Sequence, residues 1–422
     1  MANPVLITAG GTGGHLFPAE SLAHELTRRG IPVHLATDHR VASYGQDFPA
    51  EAVHLIASAT FGDRSPLGLA KSGLKIVRGG VQSFGLVNRI RPRAAIGFGG
   101  YPTLPPMLAA VARRVPTLIH EANAVAGRAN RFLAPKVTAV ATTFETTGLL
   151  GEAAAKAVVT GNPVRPRVID AAAPYATPSP DGPFELVVFG GSQGARVFSD
   201  LVPPALAELP GHLRTRIRLV QQARPEDVTR VEVLLNGLGV TAEIAPFFTD
   251  LPARIARAHL VIGRSGASTV SELAIIGRPS VLVPLPHALD NDQKTNALEL
   301  ERVGGAVMAE QASLTPQTLA ALLSDLMQAP DRLAGMAEKA KAMGRPDAVA
   351  RLADLVEHVA SGGKPADFKS GEAPKGLNTG EAPTEAKTGE APTEAKTGEA
   401  PTGRGASPST ETGVSPADQT RT

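Results

Sequence analysis

A cluster of glycines near the N-terminus is followed directly by a histidine, a combination suited to anion binding and proton transfer. The run Gly10-Gly11-Thr12-Gly13-Gly14-His15 comes after the short apolar segment 5–7 and before an amphipathic stretch. Glycines let a ligand approach backbone N–H groups closely, and a helix N-terminus adds unpaired donors with a positive dipole end. The pattern predicts a strand, a tight turn and a helix start that suits a pyrophosphate, a carboxylate or a developing oxyanion.

His15 adds a titratable group to this turn. An imidazole can accept a proton from a substrate hydroxyl near neutral pH, so we predict His15 as a candidate catalytic base. The alternative is a histidine that only caps or packs against the helix. The dinucleotide fingerprint G-x-G-x-x-G fits poorly, because its third glycine would fall on Leu16, and NAD binding is therefore disfavoured.

A second donor-rich run lies in the C-terminal half, again after an apolar segment. It reads Arg264-Ser265-Gly266-Ala267-Ser268-Thr269-Val270-Ser271-Glu272. Backbone N–H groups and hydroxyls at a helix start suit a diphosphate, and a carboxylate one turn later can accept both hydrogens of a ribose diol. The alternative for Glu272 is that it only compensates the helix dipole.

Two further polar segments follow predicted strands, at the sheet edge where open α/β folds bind ligands. Glu121 and Asn123 are candidates for sugar contacts, with helix capping as the alternative. The later segment offers several hydrogen bonds to sugar hydroxyls, or is simply a solvated turn. Its polar side chains are Asn291, Asp292, Gln293 and Asn296.

The elements that position these residues alternate between strand and helix. Predicted strands begin at residues 5, 33, 94, 117 and 137, and the pattern restarts with strands at residues 184, 217, 259 and 281. We predict an α/β protein with two doubly wound, Rossmann-like parallel sheets facing a cleft. The expected first domain is 1–165, a proline-rich linker covers 166–183, and the second domain is 184–361, with the option that its last helix packs back on the first domain.

The C-terminal segment differs in composition from everything before it. From residue 362 the chain is rich in Gly, Pro, Thr, Glu and Lys, and the nine-residue unit TGEAPTEAK occurs twice in succession. A proline in each copy and the near absence of large apolar side chains predict a disordered tail over 362–422 without a catalytic role.

Composition excludes several classes of protein. The chain has 422 residues, a formal net charge of +2 and no cysteine, which excludes disulfides and thiolate metal sites and favours the cytoplasm. No secretory signal is recognisable, and no apolar run approaches the ~20 residues of a membrane-spanning helix. The nearly balanced charge gives no argument for a nucleic-acid partner.

Residues 64–93 carry a local charge that the overall balance hides. This segment has seven Lys or Arg side chains and no acidic side chain, with apolar residues interspersed. A basic amphipathic helix can lie on an anionic membrane surface. The alternative is an ordinary helix with its apolar side in the core and a solvated basic face.

Six motifs, in order along the chain, together resemble the MurG family of peptidoglycan N-acetylglucosaminyltransferases. They are GGTGGH at 10–15, HExN at 120–123, GNPVR at 161–165, GGSQGAR at 190–196, RSGAxTVSE at 264–272 and DQxxNA at 292–297. Two positions depart from the family pattern. Ala122 stands where the family usually has Gln, and the loop 286–292 is one residue longer than usual.

The resemblance implies the GT-B glycosyltransferase fold and transfer of GlcNAc from UDP-GlcNAc to the MurNAc C4 hydroxyl of undecaprenyl-diphosphoryl-MurNAc-pentapeptide, with inversion. It implies no cofactor and no metal, and peripheral attachment to the cytoplasmic face of the inner membrane through the basic segment. In the mechanism that we predict, His15 is the candidate base. The implied UDP-GlcNAc contacts are Thr12, Gly13, Gly14, Asn123, Arg165, Ser192, Phe248, Ala267, Ser268, Thr269, Val270, Ser271, Glu272 and Gln293. The alternatives are a UDP-GlcNAc 2-epimerase of the same fold and a non-catalytic UDP-sugar-binding protein.

Overall fold

The computed structural model describes residues 3–10, 13–39, 48–58, 66–191 and 194–370. Thr12 and Ser192 lie outside these residues, and so does the predicted tail from residue 371 onward.

Seven parallel strands form the first sheet. The strands are β1 Val5–Thr8, β2 Val33–Thr37, β3 Ala52–Leu55, β4 Ala94–Gly97, β5 Thr117–Glu121, β6 Ala139–Thr142 and β7 Ala157–Val159. Their order across the sheet is β3-β2-β1-β4-β5-β6-β7. The helices are α1 Gly13–Arg28, α2 Pro66–Ile90, α3 Leu104–Ala112 and α4 Arg128–Leu133. The central strands β1, β4, β5 and β6 are buried along their whole length, as in sheets covered on both faces.

Six parallel strands form the second sheet. They are β8 Phe184–Phe189, β9 Ile217–Gln222, β10 Thr241–Ala245, β11 Leu260–Gly263, β12 Ser280–Leu282 and β13 Ala306–Met308, in the order β10-β9-β8-β11-β12-β13. The helices are α5 Pro166–Asp170, α6 Arg196–Glu208, α7 Gly211–Arg214, α8 Val228–Gly237, α9 Leu251–Arg257, α10 Ala267–Ile276, α11 Asp292–Arg302, α12 Pro316–Met327 and α13 Pro330–Met343. The prediction of two doubly wound parallel sheets is confirmed.

The last helix, α14 Ala348–Ala360, packs on the first sheet. Its Leu352 is fully buried within the apolar core of that sheet. At the margin of this contact, Arg29 pairs with Asp354 and Glu357, each at 2.7 Å. The chain therefore passes from the first sheet to the second and then returns.

A buried arginine fixes the irregular segment that leads from α5 into the second sheet. Arg278 is 1% exposed and donates to the carbonyl oxygens of Ala173, Pro174 and Ala256. Its guanidinium also lies 5.5 Å from the centroid of the Tyr175 ring. A planar guanidinium can satisfy several carbonyl oxygens at once, so this side chain fixes the path of the linker.

The basic segment contains α2, a helix as its amphipathic pattern predicts. Leu86 and Val87 of α2 are buried in the core of the first sheet. In the part of the chain that the structure describes, no helix combines the length and the apolar composition that crossing a membrane requires.

Candidate active site

The first turn of α1 places His15 against two glycines that follow β4. Gly99 and Gly100 have φ angles of +97° and +80°, a region that favours glycine. A Cβ atom added at Gly99 would lie 3.0 Å from His15 Cε1, so the imidazole occupies the space that a side chain would need. The two glycines therefore both make the turn and admit the histidine ring.

Burial controls the protonation state of His15. Its Nδ1 atom is buried and makes no well-formed hydrogen bond to a described residue. Burial lowers the pKa of His15, and the backbone of Phe98 opposes part of this shift. The neutral imidazole is the form that accepts a proton, so the position suits a general base.

A second histidine, His120 of β5, is buried close to His15. The Nε2 atom of His120 lies 3.2 Å from the carbonyl oxygen of Gly161, and the ring centroids of His120 and Phe98 are 5.3 Å apart. Burial lowers the pKa of His120 to about 4, and the charge on His15 contributes to that shift. His120 is therefore neutral at pH 7, and its Nε2–H donates to Gly161.

The carboxylate of Glu121 organises the loop that follows β5. Its Oε1 accepts from the backbone N and the Nδ2 of Asn123, at 3.0 and 3.2 Å. Its Oε2 accepts from the backbone N of Gly127 at 2.9 Å and from Asn130 Nδ2 at 2.8 Å. Burial raises the pKa of Glu121, and these hydrogen bonds oppose the shift because they favour the ionised form.

Asn123 and Asn296 join the two sheets through their carboxamides. Asn296, on α11, is fully buried, and its Nδ2 donates to Asn123 Oδ1 at 3.0 Å and to the Ser265 carbonyl oxygen at 3.2 Å. Its Oδ1 accepts from the backbone N of Ala124 at 2.8 Å. The two polar segments that the sequence identifies after β5 and after β12 therefore meet in the cleft.

Arg165 contacts side chains of both α1 and α10. Its guanidinium carbon lies 4.6 Å from the ring centroid of Phe17 in α1. Its Nη2 lies 3.7 Å from Oε1 of Glu272 in α10. Burial raises the pKa of Glu272, and Arg165 opposes that shift. Arg165 and the largely buried carboxylate of Glu272 thus lie side by side, next to the start of α5.

The N-terminus of α10 presents backbone N–H groups close to Glu272. Gly266 precedes the first helical residue, Ala267, and Ser268 and Thr269 are partly exposed. These first N–H groups have no partner within the helix, so they are suited to a diphosphate. The side chains of Val270 and Ser271 face inward, where Val270 is in the core and Ser271 Oγ donates to the Ala267 carbonyl oxygen at 2.8 Å.

Gln293 lies at the start of α11 and supports the preceding loop. Its Oε1 accepts from the backbone N of Leu285 at 3.0 Å, and its own N donates to Asp292 Oδ1 at 2.7 Å. Three non-glycine residues of this loop, His287, Asp290 and Asn291, have positive φ angles of 55° to 58°. Histidine, aspartate and asparagine are the side-chain types that adopt this region most readily.

Two family models match this chain: the N-terminal domain of glycosyltransferase family 28 over residues 5–142, and the C-terminal domain of that family over residues 185–352. The crystal structure of Acinetobacter baumannii MurG superposes with a TM-score of 0.71 at 29% identity, covering 84% of this chain and 99% of that chain. The enzyme from Chelativorans sp. (strain BNC1) is 59% identical over 368 residues, which are 86% of this chain and 97% of the relative. The chain belongs to the MurG family.

The Chelativorans relative is named UDP-N-acetylglucosamine--N-acetylmuramyl-(pentapeptide) pyrophosphoryl-undecaprenol N-acetylglucosamine transferase. A relative from Mesorhizobium japonicum (strain LMG 29417 / CECT 9101 / MAFF 303099) has the same name and is 55% identical over 370 residues, covering 87% of this chain and 98% of the relative. A putative UDP-N-acetylglucosamine 2-epimerase from Listeria monocytogenes shares the fold, with a TM-score of 0.62 at 15% identity, covering 87% of this chain and 100% of that chain. The MurG family and the alternative epimerase therefore share one architecture. Sequence identity distinguishes them, since this chain is 59% identical to the MurG-family relative and 15% identical to the epimerase.

The remaining predicted MurG-family site residues divide between the two sheets. Gly13 and Gly14 begin α1, next to His15, whereas Thr12 and Ser192 lie outside the described residues. Phe248 follows β10, is 8% exposed and packs under Arg254, whose guanidinium carbon lies 4.5 Å from the ring centroid.

Sequence reasoning did not identify Asn130 or the buried role of His120. Asn130 donates both to Glu121 and, at 3.0 Å, to the carbonyl oxygen of His120, so it ties α4 to the end of β5. The HExN motif at 120–123 contains His120, and the strand alternation places His120 on the opposite face of β5 from Glu121, but neither signal gives its contact with Gly161.

We predict that His120 makes stability depend on pH. In the unfolded chain this imidazole takes a proton near its ordinary pKa of 6.5, whereas in the folded protein it does so only near pH 4. The unfolded state binds more protons in between, so the contribution is complete above pH 6.5 and is lost as the pH falls towards 4. Between pH 6.5 and 4.5 the free energy of unfolding should fall by about 2 kcal/mol more in the wild type than in His120→Gln.

Urea denaturation at each pH measures this difference. The control is His212→Gln, a substitution at an exposed histidine of α7, which should leave the wild-type pH dependence in place. Identical pH dependence in the wild type and in His120→Gln would contradict the assignment.

Proposed function

We propose that this chain transfers GlcNAc from UDP-GlcNAc to the C4 hydroxyl of undecaprenyl-diphosphoryl-MurNAc-pentapeptide, with inversion at the anomeric carbon. The observation that carries the proposal is the match to relatives named for this transfer, at 59% identity over 97% of one relative's length. The arrangement of the site supports it, because a histidine, a helix N-terminus and an arginine–carboxylate pair converge on one cleft.

The reaction is a single displacement. The oxygen of the MurNAc hydroxyl attacks C1 of GlcNAc, the bond from C1 to the diphosphate oxygen breaks, and UDP leaves with the bonding electron pair. His15 takes the hydroxyl proton, and Nε2 is the nitrogen that we assign to this step because Nδ1 is buried. Gly99 and Gly100 leave room for the His15 ring next to the cleft. The site therefore orients the base towards the substrate in addition to supplying its basicity.

We assign the donor to the α10 side of the cleft. The first N–H groups of α10, at Ala267, Ser268 and Thr269, bind the diphosphate, together with backbone donors of Gly13 and Gly14. Arg165 offsets the charge that develops on the departing UDP. Glu272 accepts from the ribose diol, and its buried carboxylate next to Arg165 supports this role. At Val270 and Ser271 we assign backbone contacts only, since their side chains face inward.

Gln293 and Asn123 complete the donor site on the sugar side. Each offers a carboxamide next to the cleft, and the link through Asn296 sets the Asn123 group beside α11. We also propose that Phe248, Thr12 and Ser192 contact UDP-GlcNAc, and this part of the proposal rests on the family resemblance alone.

Acceptor-dependent transfer is the expected result when the purified chain is incubated with radiolabelled UDP-GlcNAc and a short-chain analogue of the lipid-linked MurNAc-pentapeptide. Label should enter the lipid fraction only when the acceptor is present. Consumption of the donor without acceptor would instead favour the epimerase, and binding without turnover would favour a non-catalytic protein. A Glu272→Ala variant should lose affinity for UDP-GlcNAc. If the wild type binds UDP-GlcNAc and this variant does not, the preparation is folded, and missing transfer then means that the assignment is wrong.

His15→Ala should lower kcat at least about 100-fold, because the attacking hydroxyl loses its base. The KM for UDP-GlcNAc should change little, since the contacts assigned to Gly13 and Gly14 are backbone groups that the substitution keeps, and the ribose contact is assigned to Glu272. Steady-state rates at saturating acceptor measure both constants. The control is His24→Ala, at an exposed histidine of the same helix. Unchanged turnover in His15→Ala would show that another group takes the proton.

We also propose that the first domain rests on the cytoplasmic leaflet of the inner membrane through α2. Three apolar side chains on one stripe of this helix are solvent-exposed: Val77 at 64%, Val81 at 70% and Phe84 at 42%. Exposed Lys75 and Arg78 accompany them on α2. Arg113, directly after α3, adds a cation 5.5 Å from the Phe84 ring centroid. An apolar stripe among cations has the chemistry of an anionic bilayer surface.

Val81→Asp should weaken co-sedimentation with vesicles of phosphatidylglycerol and phosphatidylethanolamine at least about fivefold, because the stripe loses apolar area and gains a charge that the anionic surface repels. The matched control is Val233→Asp on α8 of the second domain, where the valine is 66% exposed. Equal loss in both variants, or none in Val81→Asp, would rule out this surface as the membrane contact.

A further inference from the structure

The carboxamide of Asn123 has two of its hydrogen-bonding positions already occupied by protein groups. Its Oδ1 accepts from Asn296, and one hydrogen on its Nδ2 is donated to Glu121 Oε1. Asn123 is partly exposed, so the second Nδ2 hydrogen is left for a ligand.

Glu121 and Asn296 also fix the orientation of the Asn123 carboxamide, that is, which side carries the oxygen and which the nitrogen. If the group were flipped, its oxygen would face the Glu121 carboxylate and its nitrogen would face the Nδ2 of Asn296. Both contacts would then be repulsive, since acceptor would meet acceptor and donor would meet donor. The carboxamide of Asn123 is therefore held with its Nδ2 on the Glu121 side, and one Nδ2 hydrogen is left for a ligand in the cleft.

Asn296 belongs to the other sheet, and its own orientation is fixed independently. It sits on α11, is 0% exposed, donates to the Ser265 carbonyl oxygen and accepts from the backbone N of Ala124. An interchange of its oxygen and nitrogen would break all three of its hydrogen bonds. The orientation of Asn123 is thus fixed by one residue from each sheet.

We propose that Asn296 is a positioning residue that holds Asn123 as a donor aimed at an acceptor oxygen of the transferred sugar. This rests on the proposed function, in which Asn123 faces the sugar of the nucleotide donor. Because Asn123 and Asn296 come from different sheets, the hydrogen bond between them links the position of this donor to the observed arrangement of the two sheets. Sugar recognition therefore depends on a contact between the two sheets.

The test compares the dissociation constants of UDP and of UDP-GlcNAc, measured by isothermal titration calorimetry without acceptor. Asn296→Ala should weaken UDP-GlcNAc at least about tenfold and leave UDP within about twofold, because UDP lacks the sugar that Asn123 contacts. Retained UDP binding also shows that the variant is folded. If the alanine variant does not fold, Asn296→Ser serves instead, since its hydroxyl is too short to reach Asn123.

A double-mutant cycle isolates the route of the effect. In the Asn123→Ala background, Asn296→Ala should have little further effect on UDP-GlcNAc affinity, because the group that it positions is gone. A full additional loss in that background, or equal losses for UDP and UDP-GlcNAc, would overturn the proposal and show that Asn296 acts only as a structural link.

These measurements separate this proposal from the proposed function. Absence of acceptor-dependent transfer in the wild type refutes the transferase, whereas the binding ratio reports on Asn296 alone. The control variant is Asn236→Ala, at an exposed asparagine on α8, which should leave both affinities unchanged.

Discussion

A buried carboxylate must find hydrogen-bond donors, and the way in which Glu121 finds them shapes the cleft. Two backbone N–H groups and two asparagine side chains converge on its two oxygens. A carboxylate left unpaired at this depth would cost several kcal/mol, so the loop is held in the conformation that supplies the donors. This conformation places Asn123 beside Asn296 and Ala124 beneath it. The contact between the Asn123 loop and α11 thus depends on one buried carboxyl group in the first sheet.

The position of His15 and the link between the two sides of the cleft depend on several further groups. Gly99 and Gly100 leave room for the His15 ring, and His120 occupies the layer beneath it as a neutral donor to Gly161. Arg165 reaches both α1 and α10 from the start of the segment that joins the sheets. The cleft is consequently lined by side chains whose positions are set from both sides, which is the arrangement that a reaction between two bound substrates needs.

Much of the fold was predictable because central strands of parallel sheets are buried on both faces and form apolar runs. All four strands that the sequence analysis did not predict, β3, β7, β10 and β13, lie at the edges of their sheets. An edge strand buries less, and β10 exposes three of its five residues, so no apolar run marks it.

For the candidate site, the places of His15 at the start of α1 and of Glu272 in α10 were predictable from local spacing. Two other features were not predictable: the orientation of Val270 and Ser271, and the contact between Asn123 and Asn296. The first depends on how α10 is rotated against its sheet, and the second joins residues 173 positions apart.

The return of α14 to the first sheet has a consequence for how the protein is made. During synthesis the strands of the first sheet emerge early, but Leu352 and its neighbours complete their core only after the whole second sheet has been translated. Until then the surface of α1 that α14 later covers remains an apolar face without its partner, which is a surface that chaperones and other nascent chains bind. The core of the enzyme's first domain is therefore completed only after the second sheet has been synthesised. A chain truncated within the second sheet would have two incomplete cores, rather than one complete domain.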